Sequence, residues 1–138
     1  MEQQKVDIFL MNKGDLFPAE KLMYIREMLL AMKDERWMLL STMTFKNPST
    51  ALLISVGAGV LVAGRFYIGQ SLLGTLKLIL FLAFYFLLMI SSFNDVVILT
   101  MFAIFLFVAC LVWYLVDLFI ISKTTKELNY NKLLLLTH

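Results

Sequence analysis

Gly64-Arg65-Phe66-Tyr67-Ile68-Gly69 interrupts a field of apolar residues with one arginine, two aromatic side chains and two glycines. One apolar segment leads into this stretch and two longer ones follow it. A charged side chain next to lipid is costly unless it is paired or reaches the membrane surface. We therefore predict an interfacial turn, called the arginine turn below. It comprises Arg65 and the small and aromatic residues around it: Gly64, Phe66, Tyr67, Gly69 and Gly74.

The composition of the chain favours a membrane protein. Its 138 residues are 61% hydrophobic and 16% charged, whereas ordinary soluble domains are about half apolar and a quarter charged. Seven of the 12 Lys and Arg and seven of the 10 acids lie in residues 1–48. We therefore predict a soluble or interfacial helical region over residues 1–48, a membrane domain over residues 49–122 and a basic tail over residues 123–138. The net charge of +2 is too small to indicate a nucleic-acid partner.

The N-terminal region contains an amphipathic pattern from about Pro18 to about Thr42. Apolar residues recur at helical spacing on one face, and acidic residues lie opposite. This apolar face packs on the protein itself, on a second copy or on a foreign partner; its members are Leu22, Ile25, Leu29 and Met32. Residues 1–13 hold a short apolar run, which the pattern leaves open between a strand and a segment packed on the next element.

Three apolar segments follow, at about residues 50–63, 70–92 and 96–122. The first has fourteen residues and covers only about 21 Å as a helix, whereas the hydrocarbon core is about 30 Å thick. It therefore crosses a thin bilayer or enters and returns. The other two are long enough to span, and the tight polar turn at Phe93-Asn94-Asp95 between them predicts an antiparallel hairpin. The fold class is thus an all-α membrane protein.

Hairpin geometry brings three charged residues towards one leaflet. With the turn near Asn94, Lys77 and Asp117 lie at similar depth, and Arg65 precedes the second segment at the same end. An aspartate alone in lipid is costly, so we predict that Asp117 pairs with Arg65 or Lys77. These three residues, called the latch, would pin the hairpin to the first segment. Trp113 and Tyr114 suit the aromatic belt at the same interface.

Lysine and arginine placement predicts the orientation. Basic residues precede the first apolar segment and follow the last, and such residues favour the cytoplasmic side. Three complete spans would separate the termini. A first segment that enters and returns leaves both termini in the cytoplasm, which is the favoured arrangement; an external N-terminal region is the alternative.

Three pieces of this pattern resemble the TM-two family, whose name means the two-transmembrane-segment domain. The pieces are Arg65-Phe66-Tyr67-Ile68-Gly69, Leu73-Gly74-Thr75-Leu76-Lys77-Leu78 and Trp113-Tyr114-Leu115-Val116-Asp117-Leu118-Phe119. The resemblance covers about residues 46–132. Further pieces look like the N-terminal extension and tail of a bacterial subgroup: Val6-Asp7-Ile8-Phe9, Phe17-Pro18, Phe45-Lys46-Asn47-Pro48 and Asn129-Tyr130.

The resemblance implies a small integral protein of the bacterial inner membrane, without a settled biochemical activity. Two departures from the family pattern affect the expected structure. Gly64 stands where the family has an aspartate before the arginine, which leaves Asp117 as the nearby acid for Arg65. Residues 79–107 are long and apolar where members often have a short glycine-rich link, so two full helices are expected.

No motif in the sequence indicates catalysis. The glycines do not have the spacing of a phosphate-binding loop, and no nucleophile elbow or metal-ligand spacing is present. Cys110 is the single cysteine and lies in an apolar run, which is typical of a buried hydrophobic residue. We therefore expect a non-enzymatic protein that needs no cofactor or metal.

Three roles fit these observations. The favoured role is a membrane anchor, scaffold or accessory subunit of an envelope complex. It would contact a protein partner or a second copy through the N-terminal helix or the glycine-containing first segment. The second role is a subunit of an oligomeric channel or transporter, and the third is a membrane-resident immunity or defence factor. A channel needs polar residues along a path, for which the candidates are Thr75, Ser91, Ser92 and Thr100.

Overall fold

Every element is helical in the computed structural model of the protein, which describes residues 2–58, 63–94 and 97–137. The predicted all-α class is therefore confirmed for the described residues. Two short 3-10 turns, Gly14–Leu16 and Ala19–Lys21, lie between the first two helices. The seven α-helices of the described residues are α1 Gln3–Lys13, α2 Leu22–Ala31, α3 Glu35–Thr42, α4 Pro48–Ala58, α5 Ala63–Tyr67, α6 Ser71–Asn94 and α7 Val97–Thr137.

The chain forms two units, which we call the charged unit and the apolar unit. The charged unit comprises Met1–Thr50 and Ser122–His138, and the apolar unit comprises Ala51–Ile121. The predicted tail therefore groups with the N-terminal region. The physical reason is that α7 does not end near Ser122 but continues to Thr137, and Leu133 in this extension is completely buried.

One hydrophobic core holds the charged unit together. It draws on α1, α2, α3 and the last turns of α7. Phe45 packs edge to face against the core ring of Phe17, with the centroids 5.0 Å apart. Such ring pairs add to the free energy gained from burial alone. The buried members of the core are Val6, Phe9, Phe17, Ile25, Leu29, Met32, Leu40 and Leu133.

In the N-terminal region one open choice is resolved and one prediction is wrong. Residues 3–13 form a helix that packs on α2, the second of the two alternatives, because Val6 and Phe9 at helical spacing both reach the core. The single helix predicted from about Pro18 to Thr42 is two helices, since the chain turns extended at Met32, where ψ is 143°. Met32 packs into the core in this conformation. Asp34 and Glu35 then begin α3, where negative charge suits the helix end.

The face predicted to meet a partner is covered by the chain itself. Ile25, Leu29 and Met32 are buried in the core of the charged unit, and Leu22 packs against that core at half exposure. A face that is buried in its own unit is not open to another protein. This part of the prediction is wrong as a partner surface, and the alternative of packing on the same protein describes the observed contacts.

The two long apolar helices that the sequence predicts are α6, which lies in the apolar unit, and α7, which begins there. Ser71–Phe93 of α6 and Val97–Thr137 of α7 are long and apolar enough to cross a membrane. The 24 residues of α6 cover about 36 Å, more than the roughly 30 Å hydrocarbon core. Large side chains on the outer faces of both helices are exposed, as Phe119 is at 84%. Exposed apolar surface on this scale is uncommon in soluble monomers.

The first apolar segment is described in two parts, α4 and α5. Residues 59–62 between them lie outside the described residues, as do Asp95, Val96 and His138. The choice between a crossing and a re-entrant first segment depends on residues 59–62 and stays a prediction. The predicted turn at Phe93-Asn94-Asp95 likewise falls partly on undescribed residues.

Candidate functional site

The arginine turn begins as the short helix α5 and ends in a glycine-terminated helix cap. Gly69 has a φ of 88°, which is left-handed and favours glycine. The amide of Gln70 donates to the carbonyl of Arg65 at 2.9 Å, and the amide of Gly69 donates to that of Phe66 at 3.1 Å. This paired arrangement satisfies carbonyls that a helix end would leave open. The cap therefore fixes the backbone on both sides of the Arg65 side chain.

Arg65 and Lys77 both bind the carboxylate of Asp117. Nη2 of Arg65 lies 2.6 Å from Oδ1 of Asp117, and Nε lies 3.4 Å from Oδ2. Nζ of Lys77 lies 3.0 Å from the same Oδ2. The guanidinium fork thus spans both carboxylate oxygens, which is the geometry that makes arginine pairs stronger than single contacts. The structure brings all three predicted latch residues together.

The three residues of the latch are buried. Arg65, Lys77 and Asp117 are 7%, 5% and 4% exposed. Residues 51–121 contain four charged side chains, Asp95 and these three, so the latch gathers most of the unit's charge at one point. Because two cations pair with one carboxylate, the net charge of the latch is about +1. Buried charges require close pairing because desolvation costs several kcal/mol per ion.

Gln70 and Tyr114 make further contacts with the cations of the latch. Nη1 of Arg65 donates to the side-chain oxygen of Gln70, the residue that also closes the helix cap. The hydroxyl of Tyr114 donates to the carbonyl of Val56 at 3.3 Å, and its ring centroid lies 5.7 Å from Nζ of Lys77. Tyr114 therefore joins α7 to α4 while its ring faces a cation, a favourable arrangement.

Two glycines allow close approach of helices around the latch. A Cβ built on Gly64 would overlap the side chain of Ser55 and lie 3.1 Å from its Cβ, and one built on Gly74 would lie 3.1 Å from the Phe66 ring. Gly64 therefore brings α5 against α4, and Gly74 brings α6 against Phe66 of α5. A larger side chain such as aspartate at position 64 would not fit this packing.

The remaining predicted interface residues lie beside these contacts. Phe66 is 45% exposed, while Tyr67 at the end of α5 is half-buried. Trp113 and Tyr114 of the predicted belt are half-buried on α7. Exposed and half-buried aromatic rings at one end of a pair of apolar helices are typical of residues at a membrane surface.

The charged unit contains a polar contact that sequence reasoning missed. Asn129 on α7 is 2% exposed, and its amide nitrogen donates to the carbonyls of Leu16 at 2.9 Å and Lys46 at 2.8 Å. Its amide oxygen accepts from the backbone nitrogen of Lys46 at 2.9 Å. One side chain thus joins three segments of the chain. The only sequence signal was the Asn129-Tyr130 pair in the tail, which indicated similarity and no role.

A second contact of the tail is electrostatic. Nζ of Lys21 lies 2.6 Å from Oε2 of Glu127 and 4.2 Å from the centroid of the Tyr130 ring. The hydrogen bond to Glu127 raises the pKa of Lys21 above its ordinary value of 10.5. Both side chains remain about one-third exposed, at 33% each, so water screens this pair and its contribution to stability is small.

The polar side chains proposed for a channel path bond within the apolar unit. Ser91 and Thr100 hydrogen-bond to each other between α6 and α7, and Ser92 donates to the carbonyl of Leu88 on its own helix at 2.9 Å. Thr75 is exposed. Among the described residues, every buried side-chain nitrogen and oxygen has a hydrogen-bond partner. The bond between Ser91 and Thr100 favours a role in helix packing for these two residues.

Among the described residues, no three or more His, Cys, Asp or Glu side chains lie close enough together to hold a metal ion. Cys110 is half-buried on α7. The fold and the site therefore define an all-helical protein with two helices that could span a membrane and a buried ion cluster between its apolar helices. Comparison with protein-family models, curated proteins and solved structures finds no match to this chain. The resemblance to the TM-two family accordingly stays a prediction.

Proposed function

We propose that this chain is a non-enzymatic, multi-pass protein of the bacterial inner membrane that serves as an anchor, scaffold or accessory subunit. One observation carries the proposal. Three of the four charges in residues 51–121 meet at a single buried carboxylate, while the outer faces of α6 and α7 remain apolar. A helix pair that hides its charges inside and exposes large hydrophobic residues outside suits a lipid environment.

In this proposal α6 and α7 form an antiparallel transmembrane hairpin. The contacts between them support that arrangement, because partners move up one helix as they move down the other. Lys77 pairs with Asp117, the rings of Phe84 and Phe107 lie 5.3 Å apart, and Ser91 bonds Thr100. The last pair lies nearest to the link between the helices, and the first lies farthest from it.

The latch gives this hairpin a defined attachment to the segment before it. Arg65 belongs to α5, Lys77 to α6 and Asp117 to α7, so one carboxylate joins three helices. Helix association in lipid has no hydrophobic driving force, and close packing at small residues and polar contacts replace it. Gly64 and Gly74 allow the close packing, and the latch provides the polar contacts.

The orientation that we propose places both termini in the cytoplasm. The test uses single cysteines in a Cys110→Ser background, at the exposed positions Gln4 and Asn131 and at Asn94, the last residue of α6. An impermeant maleimide applied to intact spheroplasts is expected to label position 94 only. Labelling at position 4 would reject this orientation and support an external N-terminal region. Labelling at no position before lysis and equal release of all three variants by alkaline carbonate would reject membrane insertion.

A scaffold or accessory subunit also needs a surface for its partner. The predicted face on α2 is buried, but exposed methionines remain on the charged unit, at Met11, Met23 and Met38. Methionine side chains adapt to varied partners and are common at binding surfaces. We propose these residues as the contact surface for a protein partner or a second copy of the chain.

In-cell photo-crosslinking tests the contact surface directly. A photoreactive amino acid at Met11 or Met23 is expected to give a discrete adduct, and the matched control is Asn12, an exposed polar neighbour on α1. An adduct of twice the chain mass indicates self-association, and any other discrete mass indicates a different subunit. Equal labelling at all three positions, or none at any, together with a monomer after purification in mild detergent, would contradict the scaffold role.

A further inference from the structure

The apolar unit contains a cavity beside the latch. It has a volume of about 240 Å³ and lies between α6 and α7. Its wall is almost wholly apolar, with Lys77 as the charged member. The residues that line it are Lys77, Phe81, Phe107, Cys110, Leu111 and Tyr114.

The size and lining of this cavity indicate an apolar occupant. Apolar cavities of about 150 Å³ in other proteins stay dry and take up benzene-sized molecules. Water would find too few polar partners along a wall of phenylalanine, leucine and the lysine stem. If α6 and α7 cross a membrane, the hydrocarbon chains of lipids surround this cavity.

The charge next to the cavity selects among lipids. Lys77 lines the cavity with its stem, and its ammonium group belongs to the latch, in which two cations share one carboxylate. An excess positive charge near the end of a membrane helix attracts anionic headgroups, and basic pockets between transmembrane helices bind such lipids. The excess positive charge therefore lies next to the apolar cavity. In a phospholipid the charged headgroup is likewise joined to an apolar acyl chain.

We infer that the cavity between α6 and α7 binds an acyl chain of an anionic phospholipid, whose phosphate lies on the Lys77 side of the cavity. This inference rests on the proposed membrane insertion and adds a ligand to it. The bound lipid would offset the excess charge of the latch and fill the cavity. Lys77 is thus a specificity-determining residue, because its charge distinguishes an anionic lipid from a zwitterionic one.

Quenching of tryptophan by brominated lipids tests this inference. The two native tryptophans are replaced (Trp37→Phe, Trp113→Phe), and a new one is placed in the cavity by Phe107→Trp. The matched control is Phe105→Trp on the same helix, since Phe105 is 68% exposed. Each protein is reconstituted in phosphatidylcholine vesicles containing brominated phosphatidylglycerol, and separately in vesicles with brominated phosphatidylcholine.

The expected result is a preference for the anionic lipid at position 107 only. One lysine near a membrane surface corresponds to about a fivefold change in relative binding. Lys77→Gln should abolish the preference for the anionic lipid. Lys77→Arg should keep it, because the charge is retained. Position 105 should show no preference in any variant.

Each other outcome has a distinct meaning. Equal quenching by both lipids at positions 107 and 105 would overturn the lipid site and leave membrane insertion intact. In another outcome, neither lipid quenches a tryptophan at position 107, and this protection increases with the protein-to-lipid ratio. That result would overturn the lipid site and indicate that a second copy of the chain covers the cavity. An absence of quenching at both positions in vesicles would contradict the proposed function itself.

Discussion

Arg65 and Asp117 are separated by 52 positions in the chain, and the guanidinium of the first spans both carboxylate oxygens of the second. Both side chains are buried, at 8% and 5% exposure. A pair of this kind does not guarantee stability by itself, because desolvation of two charges offsets their attraction. The loss of one partner is costly, however, since it leaves the other charge buried without compensation.

The three latch residues should differ in how much stability they contribute. Asp117→Asn leaves two cations without their carboxylate and should lower the free energy of unfolding by about 3–5 kcal/mol. Lys77→Met leaves a neutral Arg65–Asp117 pair and should cost only the lost charged hydrogen bond, about 1.5–3 kcal/mol. The measurement is unfolding in mixed micelles, followed by Trp113 fluorescence in a Trp37→Phe background. Asp15→Asn at an exposed position is the control, and a larger loss for Lys77→Met than for Asp117→Asn would contradict the assignment.

Gly64 should not tolerate a side chain. Gly64→Ala would overlap Ser55, and overpacking of this kind costs about 1–3 kcal/mol. Ser55→Ala removes the overlapping hydroxyl and should restore part of the loss in the double variant. Gly57→Ala is the control, because a Cβ there meets nothing within 4 Å, and it should stabilise α4 by up to about 1 kcal/mol. Equal effects at positions 57 and 64, measured as shifts in the apparent Tm, would contradict the close contact of α4 and α5.

Asn129 should be essential to the charged unit. Asn129→Ala removes three hydrogen bonds and leaves the carbonyls of Leu16 and Lys46 without this partner; each buried group left unsatisfied costs about 1–3 kcal/mol. Asn131→Ala, at an exposed position two residues further on, should change stability by less than about 0.5 kcal/mol. Hydrogen exchange at the Lys46 amide, which donates to Asn129, should quicken in the first variant only. Unchanged protection of this amide in Asn129→Ala would rule out the contact.

Lys21 should make a contribution that depends on pH only in the alkaline range. Its pKa is raised in the folded protein, mainly by the hydrogen bond to Glu127. The bond therefore stabilises the fold below the ordinary lysine pKa of 10.5 and is lost as pH rises through the higher folded value. Lys21→Met should remove this alkaline slope, and its small cost in stability should be full at pH 7, where the bond is intact, and vanish above the folded pKa of Lys21. Fluorescence of Trp37 in a Trp113→Phe background follows the charged unit, and an identical slope in both proteins would contradict the assignment.

The sequence predicts the helical class, the two long apolar helices and the residues of the latch for a simple physical reason. Charges are rare in residues 51–121, so each one restricts the arrangement strongly. The break at Met32 could not be predicted, because Met32 continues the apolar helical spacing and leaves the helix only to pack into the core. The burial of the apolar face of α2 depends on the tail, because Leu133, far along the chain, packs into the same core.

The contacts of Asn129 and Gly64 were also beyond sequence reasoning. An asparagine in a polar tail has the same local pattern whether it is exposed or joins three segments. Gly64 was recognised only as a departure from the TM-two pattern, whereas its contact with Ser55 depends on how two helices meet. Such contacts depend on tertiary packing, which residue spacing within one segment does not encode.

A double-mutant cycle between Arg65 and Asp117 tests the central claim of this account most directly. The cycle uses Arg65→Met and Asp117→Leu in a Lys77→Met background, where the pair is electrically neutral, with unfolding in mixed micelles as the measurement. Each single variant strands a buried charge, so the double variant should be destabilised by less than the sum of the two. A coupling free energy of about 1.5 kcal/mol or more is predicted, whereas a value within about 0.5 kcal/mol of zero would contradict the latch.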